Sequence, residues 1–312
     1  MRHMNTIRKY LSDLEIKEIA LLFRVCLYLW LIFYYLNLFA LANFFWGNES
    51  FIPKSLINGI LGVRGFNLFG FVIFDQQPKI LLFVYIVALI FGLWDLKNKF
   101  LPILFLFLEF NFQLRSFYIV DGGNNIIFLM MIYNVFLFFP QKKEWQLLCG
   151  KVRSLALLTA QFQVSIMYFI AGTSKLKGEL WPNGTALYYT LSNDELTLGA
   201  VKILLKIIHP FFLVVPAYFI LLYQVGFIFL IWNKRIRKPL LGLGLVFHVS
   251  IALIMGLTYF GLALCCIYII FLDPRGAQTV WKKLIKKRIA LIHGLKCRLL
   301  SLRAFLKRVD SE

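Results

Sequence analysis

Apolar residues in this chain come in long runs separated by short polar clusters. Crossing a bilayer takes about 20 apolar residues in a helix, roughly 17–25 with tilt. Eight stretches reach or approach that length: 19–45, 79–96, 100–119, 124–139, 155–172, 211–232, 239–256 and 257–272, the fourth and eighth being the shortest. Two further patterns are amphipathic. In 196–208, Val201, Leu204, Leu205 and Ile208 share one helical face and Lys202 and Lys206 another, as in a helix lying at an interface. After Pro274, Trp281, Leu284, Ile285, Ile289, Ile292, Leu295, Leu299, Leu302 and Leu306 recur at helical spacing among lysines and arginines. The pattern predicts an all-α, polytopic transmembrane helix bundle of about eight spans over residues 19–272. A cytoplasmic N-terminal segment, 1–18, precedes it, and a basic amphipathic cytoplasmic tail, 273–312, follows.

The stretch 56–74 tests that count. It is apolar but carries Gly59, Gly62, Gly65, Gly70 and Arg64. Each glycine weakens a helix by about 1 kcal/mol, and an arginine in mid-span costs at least ~2.5 kcal/mol. We therefore expect a re-entrant or outer-surface element. Positive charge supports this reading. With eight spans and the N-terminus inside, twenty-five of the 34 Lys and Arg residues fall on the cytoplasmic side and seven outside, with Arg24 and Arg115 in spans. Such an asymmetry is the positive-inside pattern and places both termini in the cytoplasm.

Composition agrees with a membrane chain. Of 312 residues, 60% are hydrophobic and only 16% charged, and 33 are phenylalanine; a soluble domain is about a quarter charged. The net charge of +19 lies between apolar runs and in the tail, so it reports topology and an anionic leaflet, not nucleic acid. Five cysteines occur without C-x-x-C or metal-ligand spacing, which gives a thiol oxidoreductase no support. The first apolar run is far longer than the h-region of a cleaved signal, roughly 7–15 residues, so it is expected to remain as a span. No inverted pair of broken helices suggests a secondary transporter.

Ionisable groups at membrane depth need a partner or a cavity. Glu109 and His248 both fall near the midplane of their spans, where they can pair or simply fix helix packing. Arg115, Asp121, Asn124 and Asn125 flank the turn RSFYIVDGGNN, and Lys175 follows the fifth span; all are expected at the outer interface. They form either a reaction site or a set of headgroup anchors. Beyond a helix C-terminus the dipole keeps Lys175 charged. In a dry pocket beside Arg115, desolvation and like charge would instead favour a neutral amine able to act as a base.

Residues 168–191, YFIAGTSKLKGELWPNGTALYYTL, carry a family resemblance. Phe169-Ile-Ala-Gly172, Lys175-Leu176, Trp181, Gly184 and Tyr188 resemble the motif of the HTTM (horizontally transferred transmembrane) superfamily, which includes the vitamin K-dependent γ-carboxylases. The run VFHVSIALIMGLTYFGLALC from Val246 is similar to the same superfamily. The resemblance implies that Lys175 is the base acting on a quinol, with a quinone or quinol as cofactor. The Trp-Asn-Asn-His run of the carboxylases is absent, since Ile126 follows Asn125, and a short cytoplasmic basic helix is expected after the spans where the carboxylases carry a large lumenal domain. The DGG turn and GELWPNGTALYY look more like the SdpB (sporulation-delaying protein B) branch, bacterial proteins that mature a secreted peptide toxin with a small partner. The Phe-, Ile-, Lys- and Asn-heavy composition suits a low-GC bacterium.

The resemblance therefore implies a plasma-membrane protein assisting maturation or export of an antimicrobial peptide, with a small partner protein of the same operon and the bilayer itself as partners. A quinol-dependent carboxylase-like enzyme and a non-enzymatic export or immunity factor are the alternatives. Lys175, Arg115, Asn125 and His248 are the candidate reactive residues, and Trp181, Tyr188, Asn124 and Glu109 the candidate binding residues.

Overall fold

The computed structural model describes residues 13–48, 50–53, 55–56, 59, 76–138, 146–194, 197–288 and 290. All regular structure among them is helical. The first run forms α1, Asp13–Leu38, extended through a 3-10 turn into α2, Ala42–Trp46. The second and third runs form α3, Pro78–Trp94, and α4, Leu101–Arg115. Both carry proline in the first turn, where its missing N–H costs nothing. The fourth forms α5, Gly122–Leu137, capped by Asp121, whose carboxylate accepts the Asn124 N–H at 2.8 Å. The fifth forms α6, Gln146–Lys175.

Two short helices follow, α7 (Ala186–Ser192) and α8 (Gly199–Ile207). Then come α9 (Phe211–Leu230) and α10 (Lys234–Ile254), the latter capped by the Asn233 side chain. After α10 the chain reverses at Gly256, φ +68°, a left-handed position that glycine takes without strain. It then enters α11, Thr258–Ile267, and the 3-10 turn Tyr268–Phe271. The basic helix α12, Pro274–Arg288, bends away from that run by 115°.

Every predicted span is thus helical. Among the described residues, four helices are long and apolar enough to cross a membrane, or five if the bent pair around Asp273 counts as one. α3 and α5 are shorter apolar helices. The molecule is an all-helical membrane protein. The stretch 56–74 lies, apart from Leu56 and Gly59, outside the described residues, as do residues 1–12 and the tail beyond Ala290.

α1 is the core helix. In its most apolar window 67% of residues are buried, against 22–39% for α6, α9 and α10. It packs against α3, α5, α6 and α11, and Arg24 ties it to its surroundings. The buried guanidinium lies 3.2 Å from the centroid of the Phe138 ring and donates to Asn134 Oδ1 and to the carbonyls of Leu96 and Asn98. The outer helices turn apolar faces outward instead: Ile80, Phe83, Val87, Ile90 and Phe91 of α3 are all about half exposed or more. Water would penalise such a face, while hydrocarbon suits it.

Candidate functional site

Lys175 is the last residue of α6 rather than a residue beyond it. The fifth apolar run ends at Gly172, but the helix continues through it. The reason is packing: a Cβ at Gly172 would lie 2.9 Å from the Val225 backbone nitrogen and 3.0 Å from Gln224 Cβ of α9. Close helix crossing uses small residues in this way. The half-buried Lys175 ammonium donates weakly to the Ala171 carbonyl (3.4 Å) and lies 5.4 Å from the Trp181 ring centroid. Helix dipole and aromatic face both favour a cation there.

The segment after Lys175 folds back onto α9. Tyr218 Oη donates to the Pro182 carbonyl at 2.6 Å, and Gly184, φ +72°, makes the turn with its N–H on the Trp181 carbonyl. A Cβ at Gly184 would meet Val214 and Tyr218 of α9. Tyr188 and Tyr189 of α7 are exposed and in edge contact with each other. The same end of the bundle holds the C-terminus of α10, where the Leu198 N–H donates to the Ile254 carbonyl at 3.1 Å. Lys175 lies over Trp181, and past the Gly184 turn the chain continues into α7 with Tyr188, so the segment 175–188 makes an aromatic lip at this end of the bundle.

Arg115 has other work. It is 1% exposed, and its guanidinium donates to the Gly47 carbonyl (2.8 Å), Ser50 Oγ (3.1 Å) and the Ile52 carbonyl (3.1 Å). Trp46 closes the same corner by donating to the Phe112 carbonyl and Ser116 Oγ. Arg115 thus pins the turn after α2 to the end of α4. The guanidinium meets three oxygens that the turn delivers in a geometry suited to a planar fork of donors, while Lys175, set beside it in one of the two readings of the sequence, lies over Trp181.

Glu109 and His248, which the sequence allowed to pair or to serve helix packing, stand in two separate clusters. Glu109, fully buried, accepts from Tyr35 Oη (2.8 Å), Tyr85 Oη (3.3 Å) and Gln113 Nε2 (2.9 Å). Gln113 Nε2 also reaches the Asn124 carbonyl at 3.4 Å. Asn124 is buried beside this cluster, and Asn125, on the next helical position, is exposed. His248 belongs to a different line. Its Nε2 is hydrogen-bonded to Tyr168 Oη, which meets Tyr268 Oη at 2.6 Å, which in turn meets Tyr223 Oη at 2.8 Å. The His248 Nδ1 is buried without a hydrogen-bond partner among the described residues.

Sequence reasoning missed Tyr35, Tyr85 and Gln113 around Glu109, and Tyr223 and Tyr268 in line with His248. Tyrosine inside apolar runs reads as an ordinary aromatic, and these hydroxyls come from different helices. Tyr168 opens the motif stretch but carried no separate signal. Among the described residues no group of three His, Cys, Asp or Glu side chains forms a metal site.

No family model matches the chain, and no solved structure matches it. Two curated proteins of Bacillus subtilis (strain 168) are similar to it. The protein YitO is 28% identical over 196 residues, covering 55% of this chain and 62% of its own length. The chain spans little more than half the length of these relatives. The second is 28% identical over 170 residues, covering 50% of this chain and 52% of its own length, and is the sporulation-delaying protein SdpB.

Proposed function

We propose that this chain is a multipass protein of the bacterial plasma membrane that assists maturation or export of a secreted antimicrobial peptide. The similarity to a sporulation-delaying protein over half of the chain is the observation that carries this reading. It agrees with the motif around Lys175, which drew the same comparison from the residues alone. In this arrangement the eight helical stretches make eight passages, and both termini face the cytoplasm with most of the positive charge. The basic helix α12 then lies along the inner leaflet. Arg288 at its end donates to the Trp94 carbonyl at 3.0 Å and covers the Trp94 ring at 4.8 Å, which keeps the helix beside the end of α3.

The working surface on the outer side is the lip of Lys175, Trp181 and Tyr188. A cation over an aromatic ring, with exposed tyrosines beside it, suits an extended peptide emerging from the bilayer: its carboxylates and carbonyls meet Lys175, and its apolar side chains meet the rings. A small partner protein of the same operon would complete the machinery.

The test is co-expression of this chain with a peptide precursor and the partner gene, with the mature secreted peptide counted by mass spectrometry. Lys175→Ala is expected to lower the yield roughly tenfold, the loss of one contact of about 1.4 kcal/mol. Lys175→Arg is expected to retain most of it, because the contact needs charge. Full yield from Lys175→Ala removes the lip from the reaction. Loss in Lys175→Arg as well as in Lys175→Ala, with normal membrane levels, assigns the amine a proton-transfer role that a guanidinium cannot fill.

A further inference from the structure

We infer that Glu109 is a reversible proton-binding site inside the bundle, reached along a polar line formed by Tyr34, Asn124 and Asp121. The argument begins with what surrounds the carboxyl. Its hydrogen-bond partners among the described residues are Tyr35 of α1, Tyr85 of α3 and Gln113 of α4. No ammonium or guanidinium is among them. Arg115, six residues along the same helix, gives its hydrogen bonds to the Gly47–Ile52 turn. A carboxylate at this depth without a counter-ion costs several kcal/mol. A neutral acid avoids that cost but must find an acceptor for its proton.

The cage serves both states. Gln113 donates an N–H to Oε1, which an ionised and a neutral carboxyl accept alike. Oε2 faces two hydroxyls, which differ from amides in being able to donate or accept. When the group is ionised, Tyr35 and Tyr85 both donate to Oε2. When it is protonated, Oε2–H donates to one of these oxygens. Tyr85 has a second acceptor ready, the Phe105 carbonyl at 3.5 Å, so its hydroxyl can turn away and leave its oxygen to accept. A cluster built only to hold helices together needs one fixed arrangement; this one satisfies two.

A route to the end of the bundle is also present. Tyr34 neighbours Tyr35 on α1, and its hydroxyl lies within electrostatic reach of Glu109, Asp121 and Tyr259 and faces the Asn124 side chain. Asn124 is 2% exposed, and its side chain lies against the Tyr34 hydroxyl, next in line toward the Asp121 cap. Asp121 is part-exposed at the cap of α5, and Asn125 beside it is exposed. The titratable groups facing the cluster are therefore Tyr34 and Tyr35 from α1, Tyr85 from α3, Asp121 from the α5 cap and Tyr259 from α11, with Tyr28 of α1 facing Tyr85 from behind. A proton taken by Oε2 comes from water at the Asp121 end and returns there. A metal cation fits less well, since Gln113 presents an N–H and Oε2 is enclosed by two hydroxyls, leaving too few free oxygens.

The test is infrared difference spectroscopy of the purified full chain in lipid nanodiscs across a pH titration, and it does not depend on any peptide activity. A pH-dependent carboxylic-acid C=O band from a buried group is expected, lost in Glu109→Gln and kept in Asp121→Asn. Gln113→Leu removes the N–H on the carbonyl oxygen, so the band is expected at higher frequency; this variant keeps the test decisive if Glu109→Gln does not fold. Absence of any such band in the unaltered protein, its persistence in Glu109→Gln, or an unmoved frequency in Gln113→Leu overturns the inference and leaves Glu109 a fixed packing group.

Discussion

Gly244→Ala is expected to destabilise the protein by about 3 kcal/mol, whereas Gly242→Ala, two residues earlier on α10, is expected to be neutral or stabilising by up to about 1 kcal/mol. The two glycines differ only in what they face. A Cβ at Gly242 meets nothing within 4 Å, so alanine there supplies helix propensity alone. A Cβ at Gly244 collides with the hydroxyls of Tyr223 and Tyr268 and sits 2.7 Å from Tyr268 Cε2. Those hydroxyls are hydrogen-bonded to each other, and Tyr268 continues to Tyr168 and His248. The added methyl therefore overpacks the core, at about 1–3 kcal/mol, and disturbs buried hydrogen bonds worth about 1 kcal/mol each. Thermal unfolding of the purified protein in one detergent measures both variants. Removing the two hydroxyls as well, with Tyr223→Phe and Tyr268→Phe in the Gly244→Ala background, should restore part of the loss, since the ring carbon remains in place. A Gly244→Ala protein as stable as the parent would mean that α10 does not approach the tyrosine line as described.

Arg115→Leu is expected to cost about 3–5 kcal/mol, because it removes three buried hydrogen bonds from a charged donor, each worth about 1.5 kcal/mol or somewhat more. It strips donors from the Gly47 and Ile52 carbonyls and from Ser50 Oγ. Arg115→Lys should recover part, because one ammonium cannot reach all three oxygens in the fork geometry. The affected region should be local. Ser50 N–H rests on the Gly47 carbonyl and Phe51 N–H on the Phe44 carbonyl, so hydrogen exchange should rise first over residues 47–52. If Arg115→Leu leaves stability and exchange unchanged but abolishes peptide maturation, Arg115 returns to the reactive site where the sequence alone had placed it beside Lys175.

These two cases show where sequence reasoning stopped. Arg115 and Lys175 were grouped because both mark span ends on one predicted side of the bilayer. That inference fixes depth only. Depth does not say which neighbour a side chain meets around the bundle, and Arg115 finds the turn after α2, from residues far earlier in the chain. The same holds for Glu109 and His248. Both lie in mid-helix, as expected, yet each is enclosed by tyrosines from other helices. A tyrosine in an apolar run gives no sign of whether its hydroxyl is at the lipid interface or inside a polar cluster.

Run length and composition determined the membrane character, the helical class and where apolar helices fall along the described residues, because an apolar backbone in hydrocarbon has few options besides satisfying its own hydrogen bonds. The motif after Tyr168 pointed to the lip of Lys175 and Trp181, since the residues that form it are close in sequence. Tertiary structure decided the rest. It made α1 the central helix, let Gly172 and Gly244 serve close helix approach, and divided the buried polar groups into the Arg115 turn, the Glu109 cage and the tyrosine–His248 line. Those outcomes depend on the rotation and pairing of helices, which are set by side-chain packing between segments distant in sequence and leave no periodic trace in any one of them.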